Sequence, residues 1–371
     1  MRRSSYGYDS YRGRSRTRSF LTALIVVLSV VLLLSVAAFF LLQKYIVYSD
    51  DGRAHLELPF RQTAETEESA QVPVVVVTEP PEVTQTPEAD RGASAGEEPL
   101  AVAVLPGSAI SDGTAAARVA EAGGNAALFD MKGEDGMLGY VSQLSAAIEM
   151  GTTASQPGLN EAIHALNDTE LYTVARVSCF RDNRAPRQNN GLALRSNGGN
   201  WMDGEGIRWL NPAVEETADY VAGICRELAA LGFDEILLDN AGYPTGGDVS
   251  RIKTGADYDP EHLDVAVEAF YGKVKAALAD YPEVKLSIAA GQAVLTGGTD
   301  TSGQTAGQLG RYADRIYAPG PDNEDMARSC EKTLTELGMT ASQLVWTSEG
   351  YTPEPNSSYA PVGGAIITGD S

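Results

Sequence analysis

From residue 100 onward, short apolar runs alternate almost strictly with amphipathic stretches, and this pattern limits the fold more than any other feature of the chain. Apolar runs of strand length stand at 100–105, 126–130, 171–180, 233–239, 284–289, 315–318, 344–347 and 365–368. Helical periodicity fills most of the gaps, over 113–123, 159–166, 212–231, 260–280, 303–313 and 322–337, with a weaker patch at 141–149. Over 212–231 the apolar residues Val214, Ala218, Val221, Ile224 and Leu228 recur every three or four positions, the spacing of one helix face. Strands that alternate with helices pair in parallel, because each crossover brings the chain back to the same edge. Eight such units in about 270 residues predict an α/β fold of the (β/α)8 TIM-barrel type. No G-x-G-x-x-G follows the first strand, which removes the main signature of a dinucleotide-binding sheet. No helical stretch follows the eighth strand before Ser371, so the barrel is expected to lack its last helix. The apolar run 74–77 is a candidate cover for the seam this leaves.

Upstream, residues 20–42 form an uncharged apolar run of 23 residues, FLTALIVVLSVVLLLSVAAFFLL. As a helix it reaches about 34 Å, enough to cross a hydrocarbon core of about 30 Å. Six arginines precede it and an acidic segment follows it. The positive-inside rule then places the tail in the cytoplasm and everything beyond about residue 45 outside the cell. The competing reading is a cleaved signal peptide. Its apolar region would be shorter, about 7–15 residues, and would end in small residues rather than in Phe-Phe-Leu-Leu-Gln-Lys. The segment that follows is rich in Glu, Thr, Pro, Gln and Ala, too polar to bury a core. The expected organisation is a basic tail (1–19), a transmembrane helix (20–42), a disordered acidic stalk (43–99) and the barrel (100–371). Such a chain is a single-pass cell-membrane protein with an extracellular domain.

Charge narrows the choice of partner. The net charge of −22 divides into +6 over residues 1–49, −9 over 50–98 and −19 over the remainder. A domain that acidic repels phosphate backbones, which argues against nucleic acid. Cys179, Cys225 and Cys330 match no metal-ligand spacing and read as small hydrophobes in the barrel wall. The only histidines are His55, His164 and His262, too few and too scattered for a zinc hydrolase or a Ser–His–Asp site. Neither a metal nor a cofactor is expected.

In a barrel, chemistry sits at the C-terminal ends of the strands. Asp239 ends the buried run Ile236-Leu237-Leu238, where an unpaired carboxylate would cost several kcal/mol. Arg176, on the adjacent strand, is its natural partner, and the pairing suits a nucleophile or a stabiliser of positive charge. A structural salt bridge across the barrel mouth is the plain alternative. Strand two ends in Asp130, strand three leads to Asp182, strand four continues into Asn240 and Tyr243, and strand six contains Tyr317. The glycine-rich loop after strand three carries Trp201, Asp203 and Trp209. Tryptophans on such a loop serve equally well to stack on a sugar or to anchor the loop itself. The acidic surface points to a neutral or cationic polymer.

Four segments occur in a telling order: LFDMKGEDG (128–136), ARVSCFRD (175–182), GNWMDG with WLNP (199–204 and 209–212), and GFDEILLDNAGYP (232–244). The last is the most specific, an Asp after an apolar strand with an aromatic and a Pro four and five residues on. Over about residues 100–250 the chain resembles a glycosyl hydrolase-type TIM-barrel family of bacterial surface proteins, distantly similar to α-amylase-type barrels. The resemblance implies a carbohydrate-active domain with Asp130, Arg176 and Asp239 at the family's polar strand ends. The chain departs from the pattern at Asn240, where an aromatic is usual, and at Gly242, where an arginine is. Ala289-Ala290-Gly291-Gln292 stands where an α-amylase-like site would end strand five in Glu, and 317–320 is a reduced Tyr-Ala-Pro-Gly. Glu349, after strand seven, is then the best candidate for a general acid, with Asp130 in reserve. Three readings remain open: a surface glycosidase acting on polysaccharide or cell-wall glycan, a weakened barrel that only binds glycan, and an envelope scaffold.

Overall fold

The computed structural model describes residues 99–255, 257–347 and 364–367, with two short segments at 46–48 and 54–56. The chain divides into two compact units, Met1–Thr86 and Pro87–Ser371. In the first, Ile46–Tyr48 and Ala54–Leu56 pair antiparallel, with Ile46 opposite Leu56. The sequence reading had placed this stretch in an unstructured stalk. Asp51-Gly52, a turn dipeptide after the β-prone Ile46-Val47-Tyr48, is a hairpin signal that the polar composition of the region masked. The apolar run 20–42, the run 74–77, Glu349 and the four residues after Ile367 lie outside the described residues. No helix among the described residues is long and apolar enough to cross a membrane.

In the second unit eight parallel strands close into a barrel. They are β1 (Ala101–Leu105), β2 (Ala126–Lys132), β3 (Tyr172–Ser178), β4 (Glu235–Asp239), β5 (Lys285–Ala289), β6 (Arg315–Ala318), β7 (Leu344–Trp346) and β8 (Gly364–Ile367). Each pairs with the next, and β8 returns to β1 with Ile366 opposite Val102. Every strand falls within three residues of its predicted span. The two longest helices, Glu215–Ala230 and Leu263–Ala277, pack side by side on the outside.

Strand side chains alternate faces, so each strand feeds two cores. Phe129, Ala175, Ile236 and Leu238 point outward and pack in the large core that also holds Val221, Ile224 and Leu228 of the surrounding helix. Leu128, Val174, Leu237, Tyr317 and Val345 point inward and fill the middle of the barrel. Each large side chain removed from water this way contributes about 1.5–3 kcal/mol. Below that layer, Glu235 accepts from the Tyr172 hydroxyl at 2.7 Å and pairs with Arg315. Above it, two residues beyond Leu128, Val174 and Leu237, come Asp130, Arg176 and Asp239. The apolar middle layer is the floor on which these polar ends stand. Cys179, Cys225 and Cys330 are buried and free.

Candidate active site

Arg176 is the hub of the mouth. Its Nε donates to Asp239 Oδ2 at 2.7 Å, and its Nη1 donates to Asp130 Oδ1 at 2.6 Å. Nη2 lies 2.5 Å from the same Asp239 oxygen and 3.6 Å from Glu134 Oε1. Burial works against the guanidinium's charge, but the Asp239 and Asp130 carboxylates outweigh it and hold the arginine above its ordinary pKa. The arrangement follows from register. Asp130 stands directly opposite Arg176 on β2–β3, while on β3–β4 Arg176 is opposite Leu237 and Ser178 is opposite Asp239. The guanidinium therefore reaches forward along the barrel to meet Asp239.

Past Asp239 the backbone turns at once. Asn240 has φ 46°, the only non-glycine residue with positive φ among the described residues. That region suits Asn far better than an aromatic side chain, which accounts for the departure from the family pattern here. The Asn240 amide donates to Ser178 Oγ at 3.0 Å, and its N–H donates to Asp239 Oδ1 at 2.7 Å. Both oxygens of Asp239 are thus held.

A second arginine organises the loop. Arg181 donates to Asp203 Oδ2 at 2.8 Å and to Glu205 at 2.6 Å, and it pairs with Glu134. Asp203 also accepts the Trp209 indole N–H at 3.0 Å and the backbone N–H of Ile207. Burial alone would raise the Asp203 carboxyl, but these donors, Arg181 first, hold it below its usual range. Asp203 thus holds the Trp209 indole in place.

A cavity of about 480 Å³ opens at this mouth, within the usual range for small-molecule sites. Asp130, Arg176, Trp209, Asp239, Asn240, Tyr243 and Tyr317 all line it, as the strand-end reading required. Asp182 and Trp201 do not: the expectation for Asp182 is corrected, and of the two roles open to Trp201 the loop-anchoring one is found. Asp182 is 0% exposed, its Oδ2 2.9 Å from the equally buried Lys132 Nζ, and its Oδ1 accepts the N–H of Arg184 and Ala185. It is a buried structural carboxylate. Trp201 is 3% exposed and donates its indole N–H to the Asp248 carbonyl at 3.0 Å, so it anchors its own loop. Thr347, two residues before Glu349, also lines the cavity.

The sequence reading missed one lining carboxylate, Asp300, together with Ser302 and Gln304 of the same loop. The reading of strand five stopped at Gln292. The available signal was that Asp300 is the only acidic residue between Glu283 and Asp314. Among the described residues, no group of His, Cys, Asp and Glu is arranged to hold a metal.

An eight-stranded parallel barrel with an arginine-bridged pair of carboxylates at its C-terminal mouth defines a class, the α/β-barrel proteins with a carboxylate-lined cavity. Within that class the chain belongs to the family described as putative glycosyl hydrolase domain, whose model matches residues 115–319, more than half of its length. No curated protein matches the chain. Among solved structures, a hypothetical protein from Ruminiclostridium thermocellum is 26% identical, over 50% of this chain and 95% of that one, with a TM-score of 0.42. The α-galactosidase AgaA of Geobacillus stearothermophilus is 12% identical at a TM-score of 0.42. That overlap covers 73% of this chain and only 39% of the galactosidase. A variant of the glycoside hydrolase domain of PelA from Pseudomonas aeruginosa is 14% identical at a TM-score of 0.40, over 67% and 84% of the two chains. Likenesses this loose carry nothing about activity.

Proposed function

We propose that the barrel is a glycoside hydrolase that cleaves polysaccharide or cell-wall glycan outside the cell, tethered to the membrane by residues 20–42. The observation that carries this reading is Asp239, a charge-paired carboxylate at the end of a buried strand, facing an open cavity. Glycoside cleavage builds positive charge on the anomeric carbon, and a fixed carboxylate there either stabilises that charge or bonds to it. Arg176 donates to Asp239 and aims it. Asp130, whose side chain is half exposed, is free to accept sugar hydroxyls on its open side. The leaving oxygen needs a proton from a second acid, and Glu349 is the residue the sequence offers for that task.

The lining carboxylates Asp130, Asp239 and Asp300 face a single lining cation, Arg176, among the described residues. That balance favours neutral or amino-bearing sugars over uronates and phosphorylated glycans. The apolar run and the arginines before it support the anchoring half of the proposal.

One observation favours a barrel that binds glycan without cleaving it: both oxygens of Asp239 already accept hydrogen bonds. Full-length protein, assayed for binding and for release of reducing ends from neutral, amino-bearing and anionic polysaccharides, separates the two readings. Cleavage confined to neutral or amino-bearing chains supports the hydrolase. Binding with no new reducing ends supports the binder.

A further inference from the structure

We infer that Asp300 is the proton donor of this site, the acid that protonates the leaving oxygen of a glycoside held against Asp239. The inference rests on the glycosidase reading above. Asp300 lines the same cavity as Asp239 but reaches it from the loop after β5. Its Oδ1 is used within the loop, accepting the Ser302 N–H at 2.9 Å and the Ser302 hydroxyl. No donor or cation meets its Oδ2 among the described residues. That oxygen lies 3.2 Å from where a Cβ on Gly291 would stand, beside the end of β5.

The loop is clamped in place. Tyr243 N–H donates to the Ser302 carbonyl at 2.8 Å, and Thr301 Oγ1 donates to the Pro244 carbonyl at 2.8 Å. Gln304 donates to the Ala289 carbonyl at 2.9 Å and to the Tyr271 hydroxyl at 2.8 Å. Gly242 permits this approach, because a Cβ there would stand 2.6 Å from the Ser302 carbonyl oxygen. The glycine that breaks the family pattern is therefore the one that lets the Asp300 loop close on the β4 turn.

Charge distinguishes Asp300 from its neighbours. Asp130 and Asp239 both accept from Arg176, and Glu134 pairs with Arg181, so these carboxylates serve as acceptors. Asp300 has no such partner among the described residues. A sugar that fills the cavity therefore meets this carboxyl without displacing an arginine from it. In the reaction the glycosidic C–O bond breaks with its electron pair going to the leaving oxygen, which takes the proton of Asp300. Water then supplies a hydroxyl to the anomeric carbon, and its remaining proton restores Asp300.

The test uses the full-length chain on both anomers of phenyl and 2,4-dinitrophenyl glucosides, galactosides, glucosaminides and N-acetylglucosaminides. Asp300→Asn keeps the loop turn, since the amide oxygen accepts the same Ser302 N–H. On a sugar the wild type cleaves, it should lose about 100-fold or more in kcat/KM toward the phenyl glycoside but less than about fivefold toward the dinitrophenyl one. Gly242→Ala, which displaces the loop without removing the carboxylate, should show the same selectivity in milder form even if Asp300→Asn fails to fold. Equal losses on both leaving groups would overturn the inference, as would the selective loss appearing in Glu349→Gln and not in the Asp300 variant. Wild-type turnover measures the glycosidase reading and the ratio between leaving groups measures the role of Asp300. A wild type inert on all of these glycosides and on the polysaccharides above brings down both.

Discussion

Arg176 and Asp239 meet across neighbouring strands, the arginine placing both Nε and Nη2 on a single carboxylate oxygen while Nη1 holds Asp130. One planar cation thus fixes the positions of two anions relative to each other. Lysine fixes them less well, because its compact ammonium lacks the rigid planar fork that sets the angle between two partners. Arg176→Lys is expected to lower kcat/KM by at least tenfold and to cost about 1–2 kcal/mol of stability, since one carboxylate is left partly buried without a partner. Urea unfolding and steady-state kinetics on the same preparation check both figures.

Asp203 gives a prediction with a pH signature. Its carboxyl is held below the ordinary value of 3.8 in the folded state. A depressed folded pKa means stability that is present above the unfolded value and is lost as pH falls through the folded one. Asp203→Asn should therefore be about 2 kcal/mol less stable than wild type at pH 7. The gap should close as pH drops below about 4. A gap that stays constant between pH 7 and pH 3 would show that packing, not charge, supports Trp209.

The proposed orientation rests on the arginine-rich tail and the apolar run. Protease added to intact, wall-stripped cells should cut beyond about residue 45 and spare a tag placed on the N-terminus. Loss of the tag with the barrel intact would reverse the proposed topology.

The barrel was legible because its signal is periodic. Eight apolar runs separated by helical periodicity mark the strands, and the polar residues at the ends of those runs include Asp130, Arg176 and Asp239. Which strand residues face inward shows only in the structure. Residues outside that periodicity were harder to place. Trp201 turns inward because of a carbonyl at Asp248, 47 positions away, and no local pattern encodes that distance. Asp182 is buried because Lys132 extends β2 past an irregularity in its pairing with β3, between Asp130 and Lys132. Asp300 reaches the mouth only through the fold of its loop onto Gly242 and Tyr243, a tertiary contact between stretches that each look like ordinary turn sequence. The hairpin at 46–56 was hidden differently, by reading a polar region through its average composition.

If Asp239 does chemistry at the open barrel mouth, as proposed, the turnover of Asp239→Asn in the full-length chain shows it most directly. The substitution keeps the shape of the side chain and an oxygen for the Asn240 N–H, removes the negative charge and turns an NH2 toward Arg176. On a glycoside that the wild type cleaves, kcat should fall by about 10³ or more while the variant stays folded, with a melting temperature lowered by no more than about 6 °C. A variant that melts normally and keeps more than about a tenth of wild-type turnover would contradict the account.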